Sequence, residues 1–272
     1  MAIPSRAPDS QGTPSRGSAS AMNAARWRAN GVEGVTLDSG TTLRHLEEDA
    51  ELHVASGRLS RGTGYETASK HARQSLARVG AILRLRQHGR YYVHASGVVN
   101  HKGSAFIFVG ESGSGKSTLA FALARLGWTM LGDDGVVLEP IDDSILVHAW
   151  RSHSLISASL ASTFPELIGR ESEAISGDAR NRIPIDAPHT RVARLGAIVF
   201  ISQGEKGSLQ HCGESDALTS LIRQSPWVLL GDSDTGVHFE ALGRIATSVP
   251  SFEFVHGQNE LLRIGDFFDP AA

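Results

Sequence analysis

Ala72, Leu76, Val79 and Leu83 follow i, i+4, i+7 and i+11, which predicts one buried face of a helix, with the basic residues mostly off that stripe. Before it, residues 34–59 show short apolar pairs between turns, such as Leu52 and Val54, the pattern of a small β region. Residues 91–99 form an almost unbroken apolar run and predict a strand. A turn at 100–103 links it to a second buried strand at 105–109, so the two form a hairpin-like pair. Leu119, Leu123 and Leu126 then recur at helical spacing. Residues 128–131 read as a short strand, 135–138 as another closed by Pro140, and 145–150 as its partner across Asp142 and Asp143. The segment 151–194 is weakly patterned, with a helix predicted over 155–161. Residues 197–201 predict a buried strand, 216–223 and 239–247 helices, and the alternation of Phe252, Phe254 and His256 a final strand.

Residues 1–30 break this patterning. They are rich in Ala, Ser, Pro and Arg, with Asp9 the only acid and no apolar signal core. Pro4, Pro8 and Pro14 would spoil the amphipathic helix of a transit peptide, so a disordered leader is expected. The expected organisation is a leader at 1–30, a small β region with a helix packed on the core at 31–90, and the main α/β core at 91–268. An apolar fraction of 40% supports a sizeable core. A net charge of −3, with no basic stripe, argues against nucleic acid. Cys212 is the only cysteine, which excludes an internal disulfide and a cysteine-built zinc site. No apolar run approaches the roughly 20 residues that span a bilayer, so a soluble, cytoplasmic protein is expected.

Chemistry concentrates at residues 110–118, Gly-Glu-Ser-Gly-Ser-Gly-Lys-Ser-Thr, which fit G-x-x-x-x-G-K-[ST], the phosphate-cradling P-loop or Walker A pattern. Its glycines allow positive φ and close backbone approach, so successive N–H groups can converge on phosphate oxygens. Gly110, Ser112, Gly113, Ser114, Gly115, Lys116, Ser117 and Thr118 are the candidate nucleotide-binding residues. Lys116 would reach the β and γ phosphates and the Ser117 hydroxyl would hold Mg²⁺. The chain has only four lysines, at 70, 102, 116 and 206, so the one in the pattern is not background. A glycine-rich strand-to-helix turn is the bland alternative, and the flanking strand and helix weigh against it.

A phosphate cradle defines no reaction by itself. Asp133 and Asp134 follow Lys116 by 17 and 18 residues, at the carboxyl end of the strand after the helix. Carboxyl ends of neighbouring strands in an open sheet share a crevice, so these acids would face the phosphates. One could support Mg²⁺ while the other takes a proton from an attacking hydroxyl. A solvated Asp-Asp-Gly turn is the alternative. His94 could reach the same crevice, or be a buried structural histidine. The remaining histidines show no metal-ligand spacing.

Taken together, residues 94–99 (His-Ala-Ser-Gly-Val-Val), 108–118 and 126–134 (Leu-Gly-Trp-Thr-Met-Leu-Gly-Asp-Asp) resemble the HPr kinase/phosphorylase family. That family's fold is related to phosphoenolpyruvate carboxykinase, and the resemblance implies a P-loop-containing mixed sheet flanked by helices. It covers residues 90–140 clearly, and the later pattern is compatible to about 265. It implies ATP and Mg²⁺, with Lys116 and Ser117 on phosphate and metal, Asp133 as the metal-side acid, Asp134 as the base and His94 lining the site. The chain lacks the family's Glu-x-Arg-Gly signature and distinct N-terminal domain, and has Ser117-Thr118 where Ser-Glu is usual. It therefore resembles the divergent branch that includes the lasso peptide kinases, which implies a serine on a peptide or protein as acceptor rather than HPr. It also disfavours the phosphorylase reaction; homo-oligomerisation stays open.

Two other readings remain beside it. A small-molecule kinase of the shikimate or gluconate type also places acids after the loop lysine, but usually begins at the loop strand and carries an arginine-rich lid. A non-catalytic nucleotide sensor needs no acid pair. All of these readings rest on the same lysine. Lys116→Met should lower ATP-dependent phosphotransfer a hundredfold or more and leave the fold intact, since one preorganised charge is worth roughly 3 kcal/mol or more. Turnover within about tenfold of wild type would show that residues 110–118 do not cradle phosphate.

Overall fold

The computed structural model of the chain describes residues 25–268, apart from 30, 38, 56, 152, 157, 168–172, 175–180, 185–190, 226–229, 231–234 and 258–263. Period-two alternation builds the first sheet. Strands β1 (Ala25–Ala29), β2 (Val32–Leu37), β3 (Gly40–His45), β4 (Glu51–Ala55) and β5 (Arg58–Arg61) pair antiparallel in chain order. Their inward Val32, Leu43, Leu52 and Val54 meet Leu76, Val79 and Leu83 of helix α1 (Lys70–Gln87). The predicted helical stripe is therefore this interface. Ser69 caps the helix, its hydroxyl accepting from the Ala72 amide at 3.1 Å.

The leader expected at 1–30 overshoots its end. Residues 1–24 lie outside the described residues, but Ala25–Ala29 is strand β1. Ala25, Trp27 and Ala29 are half-buried between exposed Arg26 and Arg28, an alternation that small alanines disguise. Trp27 lies opposite Gly34, where any Cβ would stand 2.1 Å from the indole Cζ2. Glycine there makes room for the ring.

The main sheet takes β6 (Tyr91–Val93), β7 (Ala95–Val99) and β8 (Ser104–Val109), then, after helix α2 (Lys116–Arg125), β9 (Thr129–Gly132), β10 (Val136–Ile141) and β11 (Ser144–Ala149). A small sheet follows, with β12 (His153–Ile156), α3 (Ala158–Thr163), β13 (Glu173–Ala174) and β14 (Asn181–Pro184). The helix predicted over 155–161 thus begins only at Ala158, because β12 pairs antiparallel with β14. The chain then returns to the main sheet with β15 (Val192–Gln203) and the unpredicted, polar edge strand β16 (Ser208–His211). Helices α4 (Glu214–Gln224) and α5 (Thr235–Ser248), strand β17 (Ser251–His256) and helix α6 (Ile264–Phe268) complete the order.

Among the described residues this sheet runs β6-β10-β11-β15-β8-β7-β9, with β17 on β15 and β16 on β17. It is a mixed sheet flanked by helices. Ala105, Ile107 and Val109 of β8 face the cluster that holds α4 and α5, while Phe106 and Phe108 face α2 and α6. Strand β7 lies antiparallel between β8 and β9, so β8 and β9 run the same way and end at one edge. Strand β7 begins at that edge. The residues that follow β8 and β9 and those that precede β7 are therefore brought together.

Trp27→Ala tests whether β1 belongs to the fold. It should lower Tm by about 2–4 °C for each kcal/mol of packing lost, and an unchanged Tm would return Ala25–Ala29 to the leader.

Candidate active site

Residues 110–118 connect β8 to α2. Gly113 and Gly115 take φ of +82° and +100°, conformations that favour glycine. Gly110 packs against the neighbouring strand, where a Cβ would stand 2.6 Å from the Ile201 carbonyl oxygen. Ser112 and Gly113 form the exposed crest, and Thr118 is half-buried in the first turn of α2. Gly115 is the N-cap of α2 and no side chain caps the helix, so the amides of its first turn have no side-chain cap partner. Three side chains hold the loop from outside. Gln203 Nε2 donates to the Gly113 carbonyl at 2.9 Å, and Gln224 Nε2 to Glu111 Oε1 at 3.2 Å. His256 Nε2 lies 2.7 Å from the Ser114 carbonyl. The Ser114 hydroxyl is buried under the loop, 2.8 Å from where a Gly110 Cβ would be, and finds no partner among the described residues.

Lys116 is 7% exposed and its ammonium donates to the Gly110 and Glu111 carbonyls, both at 2.8 Å. Burial lowers its pKa, partly offset by Asp133, Asp134 and Glu111. A desolvated ammonium beside the first turn of a helix is a site suited to an anion.

Asp133 is 1% exposed and joins three elements. Its Oδ1 accepts from the Ser117 hydroxyl of α2 at 2.8 Å and from the Ser96 hydroxyl of β7 at 2.6 Å. Its Oδ2 is buried with no hydrogen-bond partner among the described residues. A serine hydroxyl beside a carboxylate with a spare oxygen is a hard-oxygen donor set that fits Mg²⁺, which keeps several waters and takes one or two protein ligands. Among the described residues no three His, Cys, Asp or Glu side chains cluster as a metal cage.

Asp134 turns the other way. Its φ is +56°, and its Oδ2 takes Arg151 Nη1 at 2.8 Å, with Arg78 Nη2 at 3.9 Å. His94 Nδ1 lies 3.8 Å from Oδ1. His94 occupies a break in the strand predicted over 91–99. Val93 pairs with Val136 of β10 and Ala95 with Val109 of β8, so the chain changes neighbours at His94. That break sets the imidazole between the two turns. Burial, and then the Lys116 ammonium, hold its pKa below the ordinary value.

The predicted Lys116, Ser117, Asp133, Asp134 and His94 therefore converge at one sheet edge. Sequence reasoning gave no role to Ser96, Arg78, Tyr92, Arg151, Gln203, Gln224 or His256. Ser96 carried a signal, being a hydroxyl inside an otherwise apolar strand; the others are brought in from distant elements. Cys212 is buried on the far side of the fold, by the start of β17, with its thiol pKa raised by burial. That is an unreactive environment. Among the described residues no helix is long and apolar enough to cross a membrane.

No family model matches the chain, and no curated protein does. Among solved structures it is similar to the HPr(Ser) kinase/phosphatase from Coxiella burnetii, with 12% identity and a TM-score of 0.34, over 65% of this chain and 91% of that one. A likeness that distant says nothing about activity or substrate.

The His94 shift has a consequence for pH. Its pKa is depressed in the folded chain, so below about 6.5 the unfolded chain binds its proton first. Stability is then lost as pH falls, until folded His94 also protonates. The Tm of His94→Gln should fall less between pH 7 and pH 5 than that of wild type. Equal losses would mean that the imidazole is not held neutral by the fold.

Proposed function

We propose that this protein is an ATP-dependent kinase that transfers the γ-phosphoryl group to a serine hydroxyl of a peptide or protein. The observation that carries it is the convergence of Lys116, Ser117, Asp133 and Asp134 at the end of β8 and β9. A glycine-rich turn would need neither a desolvated lysine nor a buried carboxylate on the loop serine.

The division of labour follows from burial. Lys116 and the uncapped amides at the start of α2 would neutralise the β and γ phosphates. Ser117 and Asp133 would hold Mg²⁺, which when bound supplies charge neutralisation between those phosphates. Asp134, at the rim, would accept the proton as the acceptor hydroxyl attacks the γ phosphorus and the bond to the bridging oxygen breaks, releasing ADP. Arg151 holds that carboxylate in place at 2.8 Å. A peptide acceptor accords with the resemblance in residues 90–140, whereas Arg180 and Arg182, after the loop helix, could imitate the arginine-rich lid of a small-molecule kinase.

A small-molecule kinase has one observation in its favour. Arg78 and Arg151 flank Asp134, and two guanidiniums suit an anionic metabolite. Labelled ATP offered with a serine-containing peptide library, and separately with sugars, hydroxy acids and free amino acids, decides between them. Peptide labelling is expected; efficient labelling of a metabolite alone would overturn the peptide reading.

The two acids should separate in kinetics. Asp134→Asn should leave Mg·ATP affinity within a few fold and slow transfer at least a hundredfold, the size of a general-base loss. Asp133→Asn should instead raise the Mg²⁺ concentration needed. Identical behaviour in nucleotide titration and single-turnover kinetics would refute the assignment.

A further inference from the structure

Buried Tyr92 and half-buried Arg78 form a polar pair to which phosphotransfer as set out above gives no part. Tyr92 is 1% exposed, yet its hydroxyl donates to the main-chain carbonyl of Asp134 at 2.8 Å and accepts from Arg78 Nη2 at 3.0 Å. Its ring also covers the next residue. A Cβ on Gly135 would stand 2.4 Å from Tyr92 Cε2 and 2.8 Å from the hydroxyl oxygen. Asp134 and Gly135 have φ of +56° and +148°, so one phenol is packed against two consecutive residues of positive φ. Such conformations persist where the surroundings over-determine them.

The pair links the helix of the first sheet to the main sheet. Tyr92 is the middle residue of β6 and pairs with Val137 in β10, just past the turn. Arg78 comes from α1, the helix of the first sheet. Its guanidinium carbon lies 5.9 Å from the Tyr92 ring centroid, and Nη2 is 3.9 Å from Asp134 Oδ2. On the other side the Tyr92 ring meets Trp150 edge-on at 5.2 Å. Trp150 is followed directly by Arg151, the partner of the same carboxylate. Burial raises the phenol pKa, so the hydroxyl stays a donor at neutral pH and above.

We propose that Tyr92 and Arg78 are positioning residues that hold the Asp134 turn in its left-handed shape and so aim the carboxylate at the acceptor. Helix α1 and its sheet are then part of the active site. The proposal rests on the kinase reading, in which Asp134 takes the proton. In this role neither residue needs to touch substrate: Tyr92 acts through the Asp134 carbonyl, and Arg78 through the Tyr92 hydroxyl and the Asp134 carboxylate. Replacing Tyr92 by Phe keeps the ring over Gly135 and removes only the donor to Asp134 and the acceptor for Arg78. The Asp134 carbonyl is then free to turn, and the carboxylate turns with it.

The test compares Tyr92→Phe, Arg78→Gln, their combination, Arg78→Lys and the exposed control Arg84→Gln with wild type. Three measurements are made: binding of a fluorescent ATP analogue with Mg²⁺, single-turnover transfer to the serine peptide library, and amide exchange across residues 132–137. In Tyr92→Phe and Arg78→Gln, binding should stay within about threefold, transfer should slow at least tenfold, and exchange should speed at least tenfold. The double variant should be no more than about threefold worse than either single one, because the two residues act as one unit. Arg78→Lys should recover part of the rate, and Arg84→Gln should match wild type. Wild-type transfer or unchanged exchange in Tyr92→Phe overturns the proposal. If wild type binds no ATP analogue, the kinase reading falls alone, and exchange still decides whether the pair holds the turn. If Arg78→Gln fails to fold, Tyr92→Phe carries the decision.

Discussion

The site depends on one buried carboxylate. Asp133 follows β9, yet it accepts a hydroxyl from β7 and another from the first turn of α2 through the same oxygen. Strand, turn and helix are thereby tied at the point where a phosphate would lie. A carboxylate this deeply buried has to be compensated, since an uncompensated buried charge is expensive. Two hydroxyls meet part of that requirement and leave Oδ2 without a hydrogen-bond partner among the described residues. The incompleteness is informative, because a purely structural aspartate would be expected to use both oxygens.

Around this contact the charges are arranged in layers. Lys116 lies beneath the loop, buried and bound to carbonyls; Asp133 lies beside it; Asp134 is at the rim among Arg78, Arg151 and His94. The burial that depresses the Lys116 and His94 pKa values also strengthens every interaction an anion would make there. Adjacent aspartates thus acquire different partners although only one peptide bond separates them. The left-handed φ of Asp134 turns the second carboxylate away from the first.

The first sheet bears on the site as well. It has its own apolar cluster, closed by α1, and by that measure could be an accessory module. Yet α1 also presents Arg78 toward Tyr92 and Asp134, and Ile82 packs against Tyr92. One face of a single helix serves a local core while a neighbouring position reaches the rim of the candidate site.

Most elements, and the core of the candidate site, are legible in the sequence. The α1 stripe, the hairpin into residue 110, the strand before Asp133 and the last strand at Phe252, Phe254 and His256 all follow from periods of 3.6 or 2 that burial imposes locally. Lys116, Ser117, Asp133 and Asp134 could be named because turn geometry and phosphate chemistry need those residue types close together in the chain. Tertiary structure decided the rest. The alternation of Ala25, Trp27 and Ala29 is faint until Gly34 shows where the indole goes. The break at His94 appears only because β6 and β7 find different partners. Arg78, Tyr92, Arg151 and His256 reach the site from separate elements, and no local period records a contact made across the sheet. Periodicity reports whether a residue faces the core, whereas the company it keeps there is set by strand order.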